Sequence, residues 1–151
     1  AGNVIPDTAT MGGTIRTYDE KTRAYLKERM TAIAKNVAEA FRASAEASFG
    51  SGCPTLVNDK DLSEKVTGYL KDLLGANRVE AALAGDGKGG GSEDFAYVSH
   101  EVPSLMLALA AGEPSKGYPY PQHHPKVKFD ESVLSTGAAV FVDCALQYLR
   151  E

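Results

Sequence analysis

Apolar residues recur along this chain with three different rhythms, and each rhythm predicts an element. Leu26, Met30, Ile33, Val37 and Phe41 follow one another at spacings of four, three, four and four. That is the repeat of one face of an amphipathic helix, so a helix is predicted across this stretch. Asp19 or Thr17 is placed to cap it, and Glu20, three residues after Thr17, has the position a capping box requires. From Val4 to Thr17 the pattern is extended instead, with Pro6 and Asp7 early and the pair Gly12, Gly13 before "TIRT", as in a bent or bulged strand. Beyond the helix, "SAEASFGSGCPTLV" alternates weakly, is broken by Gly50, Gly52 and Pro54, and reads as a second strand. Residues 1–53 are therefore expected to form a strand, helix, strand unit, half of a small α+β sandwich.

The character changes around residues 54–59, and a domain boundary is placed there, leaving 54–151 as the second part. A second helix is predicted in "NDKDLSEKVTGYLKDLLG", with Leu62, Val66, Tyr69 and Leu73 on its inner face and Gly75 closing it. "GDGKGGGSEDFAY" is a glycine-rich approach to a short helix with Ser92 as its expected cap. "PSLMLALAAG" is a short, nearly continuous apolar run, typical of a strand buried on both faces and hence of a parallel-type sheet. A last helix is predicted from about Asp130, with Leu134, Ala138, Phe141, Ala145 and Tyr148 facing inward. No internal repeat is present.

Composition narrows the picture without overturning it. A hydrophobic content of 43% supports a buried core, and a net charge of −4 with acids and bases well mixed excludes the clustered cations of a nucleic-acid surface. Cys53 and Cys144 lie far apart without metal spacing, so reduced thiols in a cytoplasmic protein are expected rather than a disulfide. The longest apolar stretch, "VPSLMLALAAG", is too short for a bilayer, and the first residues lack the pattern of a signal peptide. The chain starts without methionine, directly in strand-like sequence, and reads as a piece of a longer protein.

Candidate chemistry gathers in a few places. "YPQHHPKVKFDE" holds two of the three histidines, side by side, and histidine is the commonest metal ligand. Two ligands do not make a site, and no nearby acidic residue has the spacing to complete one, so an exposed polar loop is the competing reading. His100, after a short helix, reads as a capping or surface histidine. "GGGSEDF" can present backbone N–H groups to a carboxylate or phosphate, although a plain linker would look the same. Asn3 and Arg16 are polar members of an otherwise small and apolar strand. A guanidinium fork suits a carboxylate, but strand arginines are more often ordinary surface residues.

Taken in order, "NVIPDTATMGGTIRT", "GCPTLVND", "GGGSEDFAY" and "YPQHHPKVKFDE" resemble the C-terminal half of one family over essentially the whole chain. It is the family of metal-dependent amidohydrolases and metallopeptidases that includes aminoacylases, hippurate hydrolases, indole-acetyl-amino-acid hydrolases and glutamate carboxypeptidases. The resemblance implies an α/β fold: residues 1–53 as the second half of a ferredoxin-like α+β lid that mediates homodimerisation, and 54–151 as the closing segment of a catalytic domain. It also implies two divalent metal ions, zinc first, with manganese, cobalt or nickel as alternatives. In the family these activate a water for attack on the amide of an N-acyl amino acid or dipeptide-like substrate, with a glutamate as general base. The family's histidine-x-aspartate motif, paired glutamates and lid histidine are absent from this chain, so a fragment without catalytic residues, inactive without its N-terminal half, is expected.

Residue by residue, Asn3 and Arg16 match positions that grip the substrate's carboxylate side. Gly90, Gly91, Ser92 and Glu93 match the loop lining the substrate pocket, and His123 matches the final metal ligand. His124 is expected to stand aside, because neighbours in an extended chain point to opposite sides and Pro125 favours extension of the residue before it. The reverse assignment, with His124 as the ligand, stays open. Val127 and Lys128 depart from the aromatic and acidic residues often found there, which leaves substrate preference open. The alternative to a hydrolase is a non-catalytic module that binds an amino acid or another chain. No nucleic-acid or membrane partner is expected.

Overall fold

The computed structural model describes residues 3–81 and 90–150. The chain divides into two compact units, Ala1–Thr55 with Lys88–Asp94 and Leu56–Gly87 with Phe95–Glu151.

In the first unit, helix α1 spans Glu20–Ala40. Its cap is Asp19, whose carboxylate accepts from the Thr22 N–H at 2.7 Å, which satisfies one of the donors that every helix start leaves open. The capping box on Thr17 does not form, because the helix is capped at Asp19, which leaves Glu20 as its first residue. Glu20 pairs with Arg23 at 2.5 Å and accepts from the Thr55 N–H at 3.2 Å. Arg23 reaches in turn to the Cys53 carbonyl at 2.5 Å, so the first turn of α1 is tied to the segment 53–55. At the other end Ala43 N–H donates to Ala38 O and Arg42 N–H to Glu39 O, each at 2.9 Å, the double closure that usually selects a left-handed glycine. Here the left-handed position is Arg42, with φ 58°. The apolar stripe read from the sequence is largely uncovered: Met30, Ile33, Val37 and Phe41 are all exposed, Phe41 at 80%.

In the second unit, α2 spans Lys60–Leu74, α3 Ala96–Glu101 and α4 Leu134–Tyr148. Single 3₁₀ turns lie at Ala76–Arg78, Pro114–Lys116 and Glu131–Val133. Asp59 caps α2 by accepting from Leu62 N–H at 2.8 Å, and Gly75, at φ 91°, ends it with a conformation that a side chain would resist. The core forms where α2 meets α4. Val66, Leu70 and Val140 are buried there, with Leu62, Tyr69, Leu74, Val79, Leu105 and Cys144 packed around them. Leu73, expected inside, is exposed, and Leu70 takes its place.

Two expectations are corrected in this unit. On α4 the residues predicted to face inward, Leu134, Ala138, Phe141, Ala145 and Tyr148, are all exposed, and Val140 is buried instead. Both sides of this helix are apolar, so periodicity could not select the packed one. Ser92 does not cap α3; the helix starts after Phe95, with no side-chain cap.

No strand forms among the described residues, so the predicted sheet and the two predicted lid strands are not seen there. Extended chain becomes a strand only beside a partner that supplies a ladder of N–H and C=O groups. The apolar run 103–112 has a substitute for one. Asn58 accepts from Met106 N–H at 2.9 Å and donates to Met106 O at 3.3 Å through its side-chain amide. Single backbone bonds hold the rest of the run, from Asp59 N–H to Ser104 O and from Asp130 N–H to Ala111 O, both 2.8 Å. Cys53 and Cys144 are free thiols, both half-buried. Burial pushes the Cys144 thiol up from its ordinary value, with Asp143 beside it adding to the effect.

Candidate functional site

The histidine loop lies wholly in the second unit and is built from consecutive turns. Its approach is fixed at Gly112, φ 141°, where an added Cβ would meet the Tyr118 ring carbon at 2.7 Å, so only glycine lets the chain pass this close. His124 N–H then donates to Pro121 O at 3.1 Å, closing a turn with His123 as its third residue, at φ 71°. That is the position at which type II turns require a positive φ. Val127 N–H donates to His124 O at 2.9 Å and closes a second turn on Pro125 and Lys126. Asp130 anchors the far end. Its carboxylate accepts from Ser132 N–H at 3.0 Å, and the Ser132 side chain first, then this backbone bond, with Lys116 adding to them, hold the carboxyl below its ordinary value.

The loop is therefore turned where extended chain was expected. His123 is left-handed, so the two histidines do not follow one another as neighbours in a strand would. Their surroundings differ sharply. His124 is half-buried, stacked on Tyr120 with ring centroids 4.3 Å apart and planes 10° from parallel. Its Nδ1 accepts from Lys126 N–H at 3.1 Å. Coordination through Nε2 would require a proton on Nδ1 and hence the loss of this hydrogen bond. His123 is exposed and makes no hydrogen bond among the described residues, which leaves its ring nitrogens available.

Asn3, in a turn, and Arg16 are exposed residues of the first unit, and Arg16 makes no ion pair among the described residues. Gly90, Gly91 and Ser92 are exposed and Glu93 is half-buried, also in the first unit. Residues 85–89 of the glycine run lie outside the described residues. No group of three His, Cys, Asp or Glu side chains converges as a metal site among the described residues. A pair of metal ions is thus not accommodated by these residues on their own; His123 can offer one ligand. Sequence reasoning missed Tyr120, although its spacing of four from His124, across a proline and a turn, was the available signal.

The sequence matches the family described as Peptidase family M20/M25/M40 over residues 4–147, and the chain belongs to it. It is 35% identical to the IAA-amino acid hydrolase ILR1-like 2 of Arabidopsis thaliana over 100% of this chain and 34% of that protein. It is 31% identical to Thermostable carboxypeptidase 1 of Saccharolobus solfataricus, over 97% of this chain and 36% of that one. With the N-acetyl-L-cysteine deacetylase of Bacillus subtilis the identity is 29%, over 97% of this chain and 33% of the relative. The chain thus spans about a third of the length of the curated relatives it matches.

Proposed function

We propose that this chain serves a hydrolase that cleaves the amide bond of N-acyl amino acids or related small peptides and depends on two divalent metal ions. Membership of the M20/M25/M40 family along residues 4–147 carries this reading, and relatives named as amino-acid-conjugate hydrolase, carboxypeptidase and deacetylase support it. In it, residues 1–53 belong to a ferredoxin-like lid through which the protein dimerises, and 54–151 to the catalytic domain. His123 is the chain's metal ligand, for its imidazole is exposed and unengaged while that of His124 is stacked and hydrogen-bonded. Arg16 and Asn3 take the substrate carboxylate, with 90–93 beside the pocket. Zinc is the expected metal and the cytoplasm the expected compartment. No helix among the described residues is long and apolar enough to cross a membrane.

The test is metal analysis and N-acyl amino acid hydrolysis by the complete protein, with His123→Ala and His124→Ala side by side. His123→Ala is expected to lower metal occupancy and activity by at least about tenfold, the scale on which losing a metal-site group acts, and His124→Ala to leave metal content near normal. The reverse pattern would transfer the role to His124. A complete protein without metal-dependent hydrolysis would favour the non-catalytic binding module.

A further inference from the structure

The two arms of the histidine loop border a cavity of about 480 Å³ that is open to solvent on one side, of a volume within the range of small-molecule sites. One arm gives Tyr118, Pro119 and Tyr120 to its wall; the other gives Lys126, Val127 and Lys128, and no acidic side chain lines it. His123 lies at the tip between the arms. Val127 and Lys128, whose departure from the resembling family leaves substrate preference open, are both part of this wall.

The lining has two chemistries. Tyrosine and proline surfaces favour a flat, apolar group, which can stack on an aromatic face. Two ammonium groups favour an anion, and with no carboxylate in the wall the lining itself does not neutralise them. The Lys126 ammonium lies 6.0 Å from the Tyr120 ring centroid, at the outer limit of a cation–π contact, so it is held close to the aromatic surface without being consumed by it. His124 stacks on the same ring at 4.3 Å and fixes its plane.

We infer that this cavity takes a planar group bearing a carboxylate, and that Lys126 and Lys128 are determinants of substrate specificity. The inference rests on the hydrolase reading above for its setting. It deepens that reading by assigning the substrate a carboxylate on the planar group that this cavity takes.

The experiment uses the complete protein, two amides and one non-reacting ligand. Hydrolysis of 4-carboxybenzoyl-glycine is compared with that of benzoyl-glycine, and binding of benzene-1,4-dicarboxylate is measured by calorimetry. Wild type is expected to favour the carboxylated amide by about tenfold in kcat/KM, through KM, as one charge-assisted contact would provide. Lys126→Gln with Lys128→Gln should bring the ratio near one and weaken dicarboxylate binding correspondingly. Lys60→Gln on α2, outside the cavity, should leave the ratio as it is. Both lysines are exposed, so loss of fold is not expected to confuse the result. A ratio untouched by the double substitution, or no dicarboxylate binding, overturns the proposal. If neither amide is hydrolysed but the dicarboxylate binds in a lysine-dependent way, the cavity stands and the hydrolase reading falls.

Discussion

Arg42 holds a left-handed conformation, φ 58°, that glycine adopts without cost and a side chain does not. Its two flanking hydrogen bonds close α1 whatever the side chain, so Arg42→Gly is expected to stabilise the first unit by about 1 kcal/mol, read as a higher denaturant midpoint. Loss of stability would mean that the arginine side chain matters more than its backbone. Asp130 gives a pH-dependent counterpart. Its folded value lies below the ordinary 3.8, through the Ser132 hydrogen bonds first, so its contribution is complete above the unfolded value and is lost as pH falls through the folded one. Asp130→Asn should therefore flatten the decline in stability below about pH 4, and an unchanged acid limb would refute this. Asp19 was legible as one of two candidate caps, and the structure selects it over Thr17. The left-handed His123 was not, since "HHP" suits extension as well as a turn.

Helix α2 was legible in its extent and in three of the four residues read on its apolar face, Leu62, Val66 and Tyr69, with glycine at its end, but Leu73 is exposed and the unread Leu70 is buried. Helix α4 defeated the same method, since its exposed residues include Phe141 and Leu134 and its packed side includes Val140 and Cys144. A paired substitution tests this arrangement. Leu70→Ala removes a buried side chain between α2 and α4 and should cost about 2 to 4 kcal/mol. Gly68→Ala, on the exposed side where an added Cβ meets nothing within 4 Å, should instead stabilise by about 1 kcal/mol. Opposite signs two residues apart on one helix are the expected result of thermal unfolding. Equal signs would place the packed face elsewhere.

Among the described residues, burial is sparse and apolar exposure abundant. Ile5 is 93% exposed, Met11 97% and Leu149 81%, beside the uncovered stripes of α1 and α4. The strands were the least legible part for a related reason: "VIPDTATMGGTIRT" and "PSLMLALAAG" carry the composition of strands, but a ladder depends on a partner that local sequence does not specify. The likeness of four ordered motifs was legible at this scale, where any one alone was weak. The 151-residue chain by itself is expected to bind a hydrophobic dye strongly, to associate as concentration rises, and to hydrolyse no N-acyl amino acid with or without added zinc. Metal-dependent hydrolysis by this chain alone would show that it assembles ligands its described residues do not bring together.

The tie from Arg23 to Cys53 also orders events in time. Helical turns within α1 form in under about a microsecond, because each depends on residues four apart. The Arg23 bond joins positions 30 apart in sequence, and the Glu20 bond to Thr55 joins positions 35 apart. Such contacts wait for a loop to close and lose its chain entropy, a cost that grows slowly with length but is present from the start. The segment 53–55 is thus the late partner of an early helix. It is expected to lock after α1 has formed, which hydrogen exchange checks: the Thr55 amide should exchange faster than amides in the middle of α1, and equal protection would refute this order.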